Sequence, residues 1–200
     1  NIPPEGRFIF ASNHPLGALD GVALIRFFGH FYSGKIKFLV NDLLMHIKPL
    51  APVFLPINKY GSQAKESSLQ INNAYESDEQ MLIFPAGLCS RLQHGKIKDL
   101  EWKKTFIAKA VQSQRDIIPI YFEGRNSTFF YRFAQIRKCI GLKFNIELIY
   151  LPDEMFNSKN KTFDIYIGKP IPWQTFDKSK SLQEWAQIVK EKVYQIKKNQ

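Results

Sequence analysis

"RFIFASNHPLGALDG", Arg7–Gly21, decides how the rest of the chain is read. An apolar, β-rich run ends at Ser12. A turn-forming stretch with Asn13, His14, Pro15 and Gly17 follows, and a helical pattern opens near Leu19. A strand that feeds a helix through a short polar turn is the building unit of α/β domains. The alternation continues outward from it. Strands are expected at RFIFAS (7–12), KIKFLV (35–40), VFLPIN (53–58), QMLIFPA (80–86), DIIPIYFEG (116–124), NIELIYL (145–151) and FDIYIGKPI (163–171). Helices are expected at about 19–31, 41–48, 62–77, 101–114, 127–140 and 181–198. In the last helix Leu182, Trp185, Val189, Val193 and Ile196 fall on one face, with Lys190, Lys192 and Lys197 elsewhere. The expected architecture is therefore α/β, with a central, largely parallel mixed sheet of about seven strands flanked by helices.

No Ser/Gly linker, repeat or low-complexity tract divides the 200 residues, so 1–200 reads as a single domain large enough to bury a real core. The first residue is Asn rather than Met, and we expect an upstream segment in the full chain. Lys plus Arg number 28 against 18 Asp plus Glu, a net charge of +10 that favours acidic partners and says nothing about fold. Cys89 and Cys139, the two cysteines, have no metal-ligand spacing and make no disulfide framework. No apolar run approaches the ~20 residues of a membrane span, and no secretory signal pattern is present.

Open α/β sheets bind ligands at the carboxyl ends of their strands. Three expected strand ends carry unusual polar residues: SNHPLGALD after the first, PAGLCSR after MLIF, and EGRNS after IIPIYF. Their convergence points to a site built from Asn13, His14, Asp20, Ser90, Arg91, Arg125 and Asn126. A His followed by an Asp across a short loop suggests a dyad in which the carboxylate holds Nδ1 and leaves Nε2 as a base. The two lie six positions apart, off one helical face, so a turn at Pro15–Gly17 must fold Asp20 back onto the ring. The competing reading is a surface-loop His14 and an Asp20 favoured in a first helical turn by the helix dipole. His30, His46 and His94 have no partnered carboxylate nearby in sequence. There is no G-x-S-x-G, H-E-x-x-H or G-x-G-x-x-G motif. GHFYSGKI (29–36) misses a phosphate-binding loop at Ile36 and runs from helix to strand, the wrong order.

NHPLGALDG resembles the first motif of the PlsC-like glycerolipid acyltransferases, a His and an Asp separated by four residues. MLIFPAGLCSR resembles the third, Phe-Pro-Glu-Gly followed by a Ser/Thr/Arg-rich stretch. APVFLPINKY and DIIPIYFEGRNS stand where the second and fourth motifs belong. The match extends over roughly residues 7–130. The resemblance implies a glycerol-phosphate-acyltransferase-like fold with His14 as general base and Asp20 as its orienting carboxylate. It implies substrate-binding residues among Asn13, Gly17, Phe84, Pro85, Gly87, Ser90, Arg91, Arg125 and Asn126. Arg91, Arg125 and Lys59 are alternative holders of an anionic group, and the sequence does not choose among them. The departures are five residues rather than four between His14 and Asp20, Ala86 for the usual Glu, Cys89 where Arg is often found, and Asn58–Lys59 in place of the second-motif Arg. In the family those groups are associated with a glycerol-phosphate acceptor. NHPxGxLDG with FPAGxxSR is more similar to the branch that acylates the hydroxyl of a lyso-aminolipid of the ornithine- or glycine-lipid type.

The activity so implied is O-acyl transfer from an acyl thioester, of acyl carrier protein or CoA, to a lyso-lipid hydroxyl. It implies no cofactor, no metal, and a peripheral position at the cytoplasmic face of a bacterial inner membrane. Three alternatives stand beside it. One is a 1-acylglycerol-3-phosphate acyltransferase. Another is a lipid hydrolase using His14 with a serine such as Ser90. The third is a basic nucleic-acid-binding module, disfavoured because the cations are scattered and no helix-turn-helix, RRM or KH signature is visible. NSTFFYRFAQIRKCIG (126–141) spaces Phe129, Phe130, Phe133, Ile136 and Ile140 helically with Arg132, Arg137 and Lys138. It suits a bilayer surface or an ordinary helix packed on the sheet.

Overall fold

The computed structural model describes residues 2–40, 44, 45, 47–57, 63–142 and 144–197. Strand β1 (Phe8–Ser12) lies inside a six-stranded sheet, between β4 (Gln80–Ile83) and β7 (Asp116–Phe122). β2 (Ile36–Val40) pairs with β4, and β3 (Phe54–Pro56) forms one edge. These five run parallel. β8 (Ile165–Ile167) closes the other edge antiparallel to β7. A separate antiparallel hairpin joins β5 (Arg91–Gln93) to β6 (Lys96–Lys98).

The central strands are apolar at nearly every position because the sheet is covered on both faces. Ile9, Ala11, Met81, Ile83 and Ile117 face a layer made by α2 (Gln63–Glu76), α3 (Thr105–Ser113) and α6 (Leu182–Ile196). Phe8, Phe10, Leu82, Ile118, Ile120 and Phe122 face the other layer, where α1 (Leu19–Phe31) supplies Leu24, Ile25 and Phe28. Each such Leu, Ile, Phe or Met side chain contributes roughly 1.5–3 kcal/mol on full burial. α6 opens with a capping box, Ser181 accepting from Glu184 N–H while the Glu184 carboxylate accepts from Ser181 N–H. At the amino ends of the strands buried Arg115 donates to the carbonyls of Tyr75 and Glu79 at 2.8 and 2.7 Å, joining α2 and β4 to the start of β7. Burial lowers its pKa to about 10.

One expected strand needs correction. Among the described residues the main sheet has six strands, close to the seven expected, and NIELIYL forms no strand: Ile146–Tyr150 is a 3₁₀ turn that runs into α5 (Leu151–Phe156). Pro152 suits the first turn of that helix, and β8 already occupies the sheet edge beside β7. Residues 41–43 and 46 of the helix expected over 41–48 lie outside the described residues, as do Asn58 and Lys59. α4 (Thr128–Cys139) turns Phe130, Tyr131 and Ala134 inward and leaves Phe129 and Ile136 exposed, so it packs on the fold with one face only.

Candidate active site

Because β1 pairs with β4 on one side and β7 on the other, the carboxyl ends of all three strands come together. Their loops carry the three polar stretches. His14 Nδ1 lies 2.9 Å from Asp20 Oδ2. Asp20, in the first turn of α1, has no exposed surface, while 14% of the His14 side chain remains open. Asp20 also accepts from Leu16 N–H through Oδ2 and from Gly21 N–H through Oδ1, each at 2.9 Å. A carboxylate only accepts, so the proton of the ring sits on Nδ1 and Nε2 keeps its lone pair. The extra residue between His14 and Asp20 is absorbed by the turn at Gly17, whose φ of +79° suits glycine. A Cβ on Gly17 would lie 2.9 Å from the Leu151 methyls and 3.1 Å from Cys89 Cβ.

The third-motif loop completes the setting. Phe84 stacks on the His14 ring, centroids 3.8 Å apart. Ser90 N–H donates to His14 O at 2.7 Å, and Ser90 Oγ donates to Asp99 Oδ1 at 2.6 Å. Asp99 Oδ1 also takes His14 N–H at 3.1 Å, and Oδ2 takes Trp102 Nε1–H at 2.9 Å. Asp99 N–H donates to Tyr194 OH at 2.8 Å, and Lys190 Nζ donates to Asp99 O at 2.9 Å. The buried carboxylate of Asp99 thus ties the main chain of His14 to the third-motif loop, and the Asp99 backbone ties both to α6. Burial raises its pKa, and the donors from Ser90, Trp102 and His14 oppose that rise.

The remaining candidates divide into those that hold the loops and those open to a ligand. Asn13 is buried and grips β7, donating to Phe122 O at 2.9 Å and accepting from Phe122 N–H at 2.6 Å. Asn126 is also buried and reaches Leu16 O at 3.4 Å. Pro85 is buried, and its carbonyl accepts Lys103 N–H at 3.0 Å. Gly87, φ +70°, turns beneath Lys103, whose Nζ would lie 2.7 Å from a Cβ there. Arg91 is committed: Nη2 pairs with buried Glu147 at 2.9 Å and Nη1 reaches Cys89 Sγ at 2.8 Å. Arg137 Nε meets the other Glu147 oxygen at 2.8 Å, an ion-pair contact without hydrogen-bond alignment. Arg125 is exposed, with a long 3.4 Å contact to Thr128 Oγ1.

Ala86, where the family pattern has Glu, is buried in the core on the α3/α6 side of the sheet. Cys89 is buried too, and desolvation raises its pKa more than Arg91 lowers it. Asp99, Trp102, Lys103, Glu147 and Tyr194 escaped the sequence reading. KDLEW has no diagnostic spacing, and nothing local shows that Asp99 meets His14, 85 positions away. Open recesses also occur at the amino ends of the strands, lined by Arg7, Tyr32 and Asp78, and beside Pro119 and Gly168. Neither includes a residue of the His14 constellation. Among the described residues no group of three or more His, Cys, Asp or Glu is placed to hold a metal ion. No described helix is long and apolar enough to cross a membrane.

Comparison with known proteins bears on this constellation. A family model described as "Acyltransferase" matches residues 1–200. The chain is 57% identical over 196 residues to a lyso-glycine lipid O-acyltransferase of Bacteroides thetaiotaomicron, covering 98% of this chain and 72% of that protein. It is 54% identical over 196 residues to a protein of the same name from Phocaeicola vulgatus, covering 98% and 70%. Among solved structures, the 1-acyl-sn-glycerophosphate acyltransferase PlsC of Thermotoga maritima superposes with a TM-score of 0.57 at 18% identity, covering 98% of this chain and 69% of that one. That likeness shows a PlsC-like fold. With the family model spanning every residue and relatives more than half identical, the chain belongs to the acyltransferase family and is an acyltransferase.

Proposed function

We propose that this acyltransferase esterifies the hydroxyl of a lyso-aminolipid of the glycine- or ornithine-lipid type, with His14 as general base. The observation that carries the reading is the His14–Asp20 pair at 2.9 Å, buried at Asp20 and open at His14. Nε2 takes the proton of the acceptor hydroxyl. The oxygen attacks the carbonyl carbon of an acyl thioester, the new C–O bond forms, and the C–S bond breaks. The departing thiolate receives the proton from the imidazolium, which Asp20 stabilises meanwhile. A thioester is already activated, so no acyl-enzyme and no cofactor is required. The donor is an acyl carrier protein or CoA thioester, and the reaction takes place peripherally, at the cytoplasmic face of a bacterial inner membrane.

Two lines support the choice of acceptor. Relatives more than half identical are named lyso-glycine lipid O-acyltransferases. The position where the family carries a Glu associated with glycerol phosphate holds an Ala turned into the core. With Arg91 engaged by Glu147, exposed Arg125 and Lys103 are the cations we assign to the anionic groups of acceptor and donor.

The test is an acceptor panel with purified protein, acyl-CoA and acyl carrier protein donors, and detergent-dispersed lyso-lipids read by mass spectrometry. Ester formation on lyso-glycine or lyso-ornithine lipid, lost in His14→Ala, is the expected result. Lysophosphatidic acid or glycerol 3-phosphate as the best acceptor by a wide margin would overturn the acceptor assignment. Full turnover by a folded His14→Ala protein would overturn the mechanism.

A further inference from the structure

We propose that the surface formed by α4, the turn after it and α5 docks on an anionic lipid bilayer and delivers the acceptor to His14. The proposal rests on the lyso-lipid reading above and adds to it the face that meets the membrane. Phe144, Ile149 and Phe156 are 81%, 75% and 72% exposed, and Ile140, Ile136 and Phe129 are each more than half exposed. All six fall within residues 129–156. Single exposed apolar side chains are ordinary, whereas a cluster of large ones in one segment marks an interaction surface.

Three observations select a bilayer as the occupant. The first is charge. Arg125, Arg132 and Lys138 are exposed in or beside α4, and Lys159 and Lys161 just after α5. Against them stand Asp153 and Glu154, the latter already accepting from Ser127 N–H at 2.8 Å. Apolar side chains rimmed by cations suit anionic headgroups over acyl chains. A second copy of the chain would bring two such cationic rims face to face. The second is placement along α4. Phe129, Ile136 and Ile140 form one stripe, Arg132 lies at its border, and Phe130, Tyr131 and Ala134 anchor the opposite face.

The third is continuity with the catalytic loop. Leu151 packs with Cys89 and Phe130 beneath this surface, and its methyls lie directly over Gly17, between His14 and Asp20. The buried Glu147, gripped by Arg91 and Arg137, fixes the segment to the third-motif loop. An acceptor whose acyl chain stays in the bilayer therefore reaches the dyad along a wall that is itself seated on the bilayer.

The experiment measures binding of the purified chain to phosphatidylcholine vesicles with and without phosphatidylglycerol, beside turnover on detergent-dispersed lyso-glycine lipid. The chain is expected to bind the phosphatidylglycerol vesicles more tightly. The double variant Phe144→Asp/Ile149→Asp, at two side chains that support no core, is expected to lose at least ~10-fold in partitioning. Its turnover on dispersed substrate should stay within about twofold of the parent, because neither residue touches the site. Arg132→Glu/Lys138→Glu should abolish the preference for phosphatidylglycerol, at about fivefold per charge. Vesicle binding unchanged in the apolar variant overturns the proposal, as does an unmodified chain that binds neither vesicle. A concentration-dependent dimer lost in the apolar variant while vesicle binding persists assigns the face to a second copy and overturns it equally. Failure of dispersed turnover in the unmodified chain strikes the lyso-lipid reading instead, so the two failures are read on separate measurements.

Discussion

Replacing Asp20 by Asn tests the catalytic pair where its geometry is most constrained. Oδ2 of Asp20 faces two groups, His14 Nδ1 and Leu16 N–H, each at 2.9 Å, and Oδ1 faces Gly21 N–H at 2.9 Å. A carboxamide has one oxygen and one NH2. With its nitrogen toward Gly21 it meets a donor there. With its nitrogen toward His14 it meets Leu16 N–H and pulls the imidazole into the tautomer that protonates Nε2, which removes the base. Either way the negative charge opposite the imidazolium is gone. That attraction amounts to ~4 kcal/mol at about 4 Å and an effective dielectric of about 20. At about 1.4 kcal/mol per tenfold the loss is ~10³ in kcat, inside the ~10²–10⁴ range of general-base removal.

The assay is ester formation from acyl thioester and dispersed lyso-lipid, with kcat and KM determined separately and folding checked by circular dichroism. His14→Ala leaves both backbone bonds to Asp20 in place and should lose as much. The double variant should lose no more than either single change, because the pair acts as one unit. A folded Asp20→Asn protein within about threefold of the parent kcat would falsify the reasoning.

Ala86→Glu should destabilise rather than redirect, because it buries a carboxylate in the core at a cost of several kcal/mol; a fully stable variant that now prefers lysophosphatidic acid would contradict this. Burial raises the pKa of Asp99, so above the ordinary Asp value of about 3.9 the folded chain binds more protons than the unfolded one, and this group's contribution to stability falls as pH rises toward the raised value. Urea unfolding from about pH 4 to pH 7 should show that decline in the parent and not in Asp99→Asn, and parallel profiles would refute it. Cys139 is exposed while Cys89 is buried with a raised pKa, so a thiol reagent should modify Cys139 rapidly and Cys89 only after denaturation; two fast thiols per native chain would count against the packing described.

The parallel sheet was legible because strands buried on both faces read as near-continuous apolar runs, as MLIF and IIPIYF do. The convergence of the candidate residues was legible because the three strands that carry their loops are neighbours. NIELIYL misled because its apolar residues satisfy a strand pattern locally, and only the occupied edge of β7 and the demand of Arg91 and Arg137 for Glu147 decide otherwise. The β5–β6 hairpin turns on His94 and Gly95, both at positive φ, and short polar strands outside the main sheet leave little trace in composition. Arg91 read as a ligand-binding cation because a one-dimensional pattern does not show that a residue 56 positions away engages it. Asp99 went unseen for the same reason.

The insertion of β1 between two strands that come much later in the chain has a kinetic consequence. Asn13 is locked to Phe122 across 109 positions, and β1 needs both β4 and β7 before the loop bearing His14 has a floor. Closures of that length form slowly compared with local helices. The dyad is therefore acquired late in refolding, after helix formation is well advanced. Recovery of turnover from denaturant should lag the far-ultraviolet signal, and Asn13→Ala, which cuts the lock without touching the imidazole, should lengthen that lag.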